Sequence, residues 1–304
     1  MLPTVKWYIG QPLMPDNWHL MNDSINEYTF DLVNFISENN FGIAKLEIDT
    51  KMLDFQLLRL CNFMIVMPSG EYFDLNVNTK CSNMILSEIS DNRTEVYINI
   101  TPAPPEDYLY RGSNIKTYSF NLELSETPDS RADSTFKLCE LKKTVENKWE
   151  IDTTYIPPCM TLNNSIGKML LEELQLLSDK IISHYNSMID TSEALVVKKS
   201  EFRPCTEKAF EFKRICDLSN TTKSEQHPHK LFAALFKIYV KISLFFNVTP
   251  RYNFKYNHFD IYNSITQIKN KIDELLSCNY HNYKILKFES KNCRLTVDSI
   301  PHQY

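Results

Sequence analysis

Glycine is scarce in this chain, with five in 304 residues. Loops that cradle phosphate bring backbone N–H groups up to the ligand, which needs several closely spaced positions without a Cβ. No G-x-G-x-x-G, Walker A or G-x-S-x-G pattern occurs, so the usual nucleotide-binding and hydrolase signatures are missing. A basic excess is missing too. With 33 Lys and Arg against 38 Asp and Glu, the net charge is −5, which excludes capture of nucleic acid phosphates by the chain as a whole. The longest apolar run, Leu231 to Phe246, is broken by Lys237 and Lys241 and falls short of the roughly 20 residues a membrane helix needs. No basic segment followed by an apolar core and cleavage site opens the chain, so no secretory signal is read. The expectation is a cytoplasmic protein, not integral to a membrane, whose eight cysteines stay as thiols.

What is present is an ordinary globular composition, 43% hydrophobic and 23% charged, with a change of period along the chain. From Pro15 to about residue 37, Trp18, Met21, Ile25, Tyr28, Leu32 and Phe35 recur at steps of three or four, one stripe of an amphipathic helix. From Gly42 the pattern turns extended. Ala44, Leu46 and Ile48 alternate, Phe55 to Met67 is nearly all apolar, and Pro68-Ser-Gly70-Glu is a turn. Val96, Ile98 and Ile100 alternate before Pro102-Ala-Pro-Pro105, and Tyr118, Phe120, Leu122 and Leu124 give the cleanest period of two. Shorter strands follow at Phe136 to Leu141 and Val145 to Ile151, with an exposed loop over 125–134. Several short strands with turns between them predict a β-sandwich.

After Ile156-Pro-Pro-Cys159 the period becomes helical. Leu162, Ile166, Leu170, Leu174, Leu177, Ile181, Tyr185 and Met188 form one stripe, and a second, shorter helix runs from about Thr206 to Leu218. A third covers Leu231 to Phe246, with Leu231, Leu235, Ile238, Ile242 and Phe245 on one seam and Phe232, Phe236, Tyr239 and Phe246 on another. A fourth carries Ile261, Ile265, Ile268, Ile272 and Leu275. The predicted class is α+β: an N-terminal helix and β-sandwich over 1–158, an α-helical bundle over 159–277, and a short tail over 278–304.

Chemistry-bearing residues are present without a pattern that selects them. His227-Pro-His229, Cys278, His281, Cys293 and His302 are ligand types, yet no C-x-x-C pair occurs and the spacings match no standard zinc module; no metal or cofactor is expected. Glu172-Glu173, Glu123 and Glu126 read as solvated faces. His258 is the best single polar candidate, with a hydrogen-bonding role near a helix start, where Asp260 favours the helix dipole. No catalytic motif supplies a mechanism, so a non-enzymatic protein is expected. The alternative is a sandwich that binds carbohydrate or protein through Tyr108, Tyr110 and Tyr118, on a helical oligomerisation domain; aromatics at strand spacing are more often core.

The opening Trp7-Tyr-Ile-Gly10-Gln-Pro-Leu13-Met-Pro15, with Trp18 after it, resembles the start of the TssK family of type VI secretion. Gly42-Ile-x-x-Leu46-Glu-Ile-Asp49, Pro68-Ser-Gly70-Glu-x-Phe73-Asp74, Tyr155-Ile-Pro157-Pro158-Cys159, His227-Pro228-x-x-Leu231-Phe232 and Tyr256-Asn-His258-Phe-Asp260 are similar to further family motifs in the same order. In two places the chain departs from the pattern: Asn17 stands where the family has His, and little sequence follows the bundle where the family carries a further domain.

The resemblance implies a structural baseplate adaptor that forms a homotrimer. Its shell domain would hold wedge proteins of the TssF and TssG type, and the adaptor would link them to the cytoplasmic side of the inner-membrane secretion complex. Trp7, Leu13, Pro15 and Trp18 are then expected to anchor partners, since buried aromatics dominate such interfaces; the competing expectation is that they close the shell core. The seam from Leu231 to Phe245 is expected to mediate trimer contacts, directly or by supporting a neighbouring helix.

Overall fold

A computed structural model of the protein describes residues 9–10, 12, 14–36, 39–111, 113–191, 196–217, 226–246 and 248–277. Trp7, Leu13, Cys278, His281, Cys293, His302 and the expected tail lie outside these residues. The class is α+β. The elements run α1 (Pro15–Ile36), β1 (Gly42–Ile48), α2 (Thr50–Leu53), β2 (Leu57–Leu58), β3 (Leu60–Val66), β4 (Tyr72–Asp74), β5 (Thr79–Cys81), β6 (Met84–Ile85), β7 (Arg93–Tyr110), β8 (Ser113–Ser125), β9 (Ser134–Lys143), β10 (Trp149–Ile151), α3 (Lys168–Thr191), α4 (Val196–Cys216), α5 (Pro228–Phe245) and α6 (Ile261–Ser277).

The strands form a three-stranded sheet in the order β1-β3-β4, a five-stranded sheet in the order β10-β9-β7-β8-β5, and the small pair β2-β6. All pairings are antiparallel except β5 with β8. Ile43, Leu46, Phe63 and Ile65 of the smaller sheet and Ile98, Ile100, Leu122, Leu138 and Leu141 of the larger one are buried. Phe73 of β4 meets Phe120 of β8 edge to face at 4.9 Å, so the two sheets share apolar contact.

Three departures from the sequence expectation have local causes. In β1 a bulge between Ile43 and Lys45 shifts the alternation, so Ile43 rather than Ala44 is fully buried. The apolar run from Phe55 is cut by Gln56, which takes a positive φ of 58° and leaves Phe55 exposed. Pro102, Pro104 and Pro105 do not stop β7, because β9 ends its pairing at Ile100 and, among the described residues, no strand needs their missing N–H groups. A register shift between Ala103 and Glu106 absorbs them.

The 125–134 loop is held by one buried side chain. Asn99 Nδ2 donates to Ser125 Oγ at 2.7 Å and Thr127 O at 3.3 Å, while its Oδ1 accepts from Asp129 N–H and Thr135 Oγ1–H, each at 3.0 Å.

Among the helices, α3 packs on α4, α4 on α5, α5 on α6, and α6 back on α3. α5 starts as its sequence directs: His227 is the N-cap, its Nδ1 accepting from His229 N–H at 3.2 Å, and Pro228 takes the first turn. α4 begins upstream of the expected start and carries Pro204 inside it, at the cost of one helical hydrogen bond. Glu173 is half-buried and pairs with Lys269 across α3 and α6.

The stretch from Pro158 to Ser165 ties strands to helices. Ile43 N–H donates to Pro158 O (2.9 Å), Met160 N–H to Ile43 O (2.8 Å), Ser165 N–H to Leu46 O (3.1 Å), and Leu162 N–H to Gln226 O (3.0 Å). Gly42 makes this approach possible. Its φ is +101°, and a Cβ there would strike the Pro158 carbonyl. Gly42→Ala is therefore expected to destabilise the chain by more than about 2 kcal/mol. Its urea midpoint, set beside that of a substitution at exposed Glu47, measures the effect.

Candidate docking surfaces and the joint that orients them

Pro15 opens α1 at its first turn with Asp16 beside it, both suited to a helix N-terminus. The apolar stripe of this helix does not lie on the core. Trp18 keeps 49% of its surface exposed, Ile25 and Tyr28 51% each and Leu32 44%, while Met21 is half-buried. Phe30, on the other side of the helix, faces the β3–β4 turn, where a Cβ at Gly70 (φ +88°) would stand 3.0 Å from Phe30 Cγ. α1 carries Asp16, Asp23, Glu27 and Asp31 and no Lys or Arg. An apolar stripe that faces water is a candidate docking face.

The seam of α5 is placed differently. Leu231, Leu235, Ile238 and Ile242 are buried within this chain, and half-buried Phe245 meets Tyr185 at 5.2 Å between ring centroids. Burial inside the chain's own helical core rules out direct contact of the four aliphatic side chains with another copy. The supporting role is the part of the expectation that this placement leaves.

A second exposed surface had no sequence signal beyond strand periodicity. Tyr108, Leu109, Ile115 and Tyr118 are exposed on the far part of the β7–β8 ribbon, past the point where β9 and β5 pair with it. The preference of strand aromatics for the core fails here because, among the described residues, no second layer covers the ribbon.

The motifs that looked unrelated along the chain converge at the joint. His227, before α5, and His258, before α6, stack with ring centroids 5.8 Å apart and planes 2° apart. His227 Nε2 lies 3.1 Å from Asn39 O and His258 Nε2 lies 3.0 Å from Phe41 O. A carbonyl only accepts, so each Nε2 carries the proton. Each Nδ1 is then an acceptor, His227 from His229 N–H and His258 from Tyr256 O–H at 2.6 Å. Both rings are buried, neutral and satisfied at both nitrogens.

Burial pushes the His227 pKa down from 6.5 to about 4, against the Asn39 carbonyl and helped by nearby His258 and His229. Burial lowers His258 as well, and pushes the adjoining Cys159 thiol up to about 12, which removes it from nucleophilic chemistry near neutral pH. The two imidazoles pin the segment entering β1 to the starts of two helices, a structural task. Among the described residues, no group of three or more His, Cys, Asp or Glu is placed to hold a metal ion, and no helix is long and apolar enough to cross a membrane.

The family model for bacterial type VI secretion proteins, which names EvfL, ImpJ and VasE, matches residues 22–114 and 109–292. The chain belongs to this type VI secretion family. No curated protein matches it in sequence. Among solved structures, a chain of the TssK-TssF-TssG baseplate subcomplex is similar at 15% identity and TM-score 0.73, over 91% of this chain and 99% of that one. A crystal structure of TssK is similar at 14% identity and TM-score 0.66, over 91% of this chain and 72% of that one. TssK from the EAEC type VI system, bound to a nanobody, is similar at 15% identity and TM-score 0.61, over 85% of this chain and 68% of that one. At these identities the likeness is one of fold. The family match covers both α1 from Asn22 onward and the histidine joint.

The joint makes a pH prediction. The unfolded chain protonates these histidines near pH 6.5, while folded His227 resists until about pH 4, so their contribution is complete above about pH 6.5 and is lost as the pH falls through that window. His227→Gln, which can still donate to Asn39 O, is expected to cost about 1 kcal/mol at pH 7.5 and to flatten the fall in stability between pH 6.5 and 4. Denaturant melts at several pH values test this; an unchanged slope would count against the buried neutral pair.

Proposed function

We propose that this chain is a structural, non-enzymatic subunit of the type VI secretion baseplate, of the TssK kind, acting as a homotrimer that holds subunits of the TssF and TssG kind. The observation that carries this reading is the fold likeness over 91% of the chain to a chain of the TssK-TssF-TssG subcomplex, joined to the family match. Fold alone does not assign function, but the surfaces agree with assembly rather than chemistry.

In this reading the paired sheets make the shell domain over 1–158 and the helices over 159–277 make the stalk. α1 is the primary contact with the wedge: Trp18, Ile25, Tyr28 and Leu32 enter an apolar groove, and its acidic flanks fit a rim of Lys and Arg. Trp7, Leu13 and Pro15 extend the same anchor. The α5 core from Leu231 to Phe245 supports the trimer by fixing the helices that face other copies. The protein works in the cytoplasm at the inner-membrane apparatus, and three moderate contacts per trimer give firm hold of a large particle.

Size exclusion with light scattering, for the chain alone and mixed with the TssF- and TssG-like proteins of its own secretion cluster, tests the reading. A trimer that shifts into a larger complex supports it; a monomer that ignores both proteins overturns it. Trp18→Ala is expected to change stability by less than about 1 kcal/mol, as the side chain is half exposed, and to weaken wedge binding at least about tenfold. Lost folding would instead make Trp18 part of the shell core.

A further inference from the structure

The β7–β8 ribbon leaves the five-stranded sheet with one edge closed and one open. On the β7 side, β9 pairs only as far as Ile100. Beyond it come Pro102, Pro104 and Pro105, which have no N–H to offer and so block an added strand. On the β8 side, Phe120 N–H donates to Asn78 O at 2.9 Å and Leu122 O accepts from Ser82 N–H at 3.3 Å. Even-numbered residues of β8 therefore turn their backbone groups away from β7.

β5 uses that edge only from Phe120 to Leu122. Asn114, Lys116 and Tyr118 continue the same alternation, and among the described residues no strand pairs with them on that side. Residues 114–118 are all exposed.

The side chains make the same point. Tyr108 and Ile115 are cross-strand partners on one face, while Leu109 and Tyr118 lie on the other, 68% and 72% exposed. A two-stranded ribbon is marginal in water without a layer or strand to cover it. Its charges are already met within the chain: Lys116 pairs with Asp107 at 2.7 Å and Lys80 pairs with Glu106. A partner strand therefore needs no charge. Pairing with a second copy centred on this stretch would set Lys116 beside its own counterpart, which disfavours self-association.

We propose that the outer edge of β8, from Asn114 to Tyr118, accepts an extended, uncharged strand with apolar residues at alternate positions, supplied by another baseplate subunit. The strand continues the line of β5, its backbone bonds giving affinity and the exposed aromatics giving register. This rests on the baseplate reading, but concerns a contact separate from α1.

The test uses the full chain with the TssF- and TssG-like proteins of its secretion cluster, and hydrogen exchange of peptides spanning 113–119. In the complex, exchange at Asn114, Lys116 and Tyr118 is expected to slow by at least about tenfold. Lys116→Pro removes only an outward N–H, so the β7 pairing stays, and it is expected to weaken the complex about tenfold. Lys116→Thr keeps that N–H and is expected to stay within about twofold. A complex that forms with exchange in 113–119 unchanged overturns this proposal alone. No complex at all overturns it together with the baseplate reading. Slowed exchange in the isolated chain as its concentration rises assigns the edge to a second copy and also overturns it.

Discussion

The structure depends on the close approach of β1 to the Pro158–Ser165 segment. Gly42, without a Cβ and at a φ few residues adopt, lets the Pro158 carbonyl receive the Ile43 N–H. Once that contact is made, the same segment binds Leu46 and Gln226, and the strands are joined to the helices by backbone hydrogen bonds rather than by a linker. The paired histidines complete the joint from the helix side, holding the carbonyls of Asn39 and Phe41 just ahead of Gly42.

The joint anchors the body from which two candidate docking surfaces project. α1 shows its apolar stripe to solvent, and the β7–β8 ribbon extends past its neighbours. The joint is pH-sensitive: its imidazoles stay neutral while folded but take up protons below about pH 6.5 once the chain unfolds, so acid favours the unfolded state. The buried cysteines play no such part, since burial keeps Cys139, Cys159 and Cys216 protonated and leaves them as small apolar side chains.

Much of the architecture was legible from period alone. The three-and-four steps of Ile261 to Leu275 and the alternation of Tyr118 to Leu124 gave the right elements, because amphipathic burial leaves a repeat in a single chain. Element ends were legible where a cap or a proline marks them, as at Pro15 and His227-Pro228. The errors came from tertiary context. Ala44 lost its inward place to a bulge, and Pro102, Pro104 and Pro105 lie inside a strand because, among the described residues, no neighbouring strand needs the N–H groups they lack.

The sequence by itself determined which residues are apolar, how they are spaced, and the family motifs at Gly42, Pro157-Pro158-Cys159, His227 and His258. It also determined that α1 is acidic and amphipathic, since both properties are read from adjacent residues. Only the tertiary structure decided which stripes are covered. The α5 seam became core and the α1 stripe remained surface although both show the same spacing, because exposure depends on what packs against a helix. Likewise the meeting of His227 with His258 and the open edge of β8 arise between segments far apart in the chain, where local periodicity carries no information.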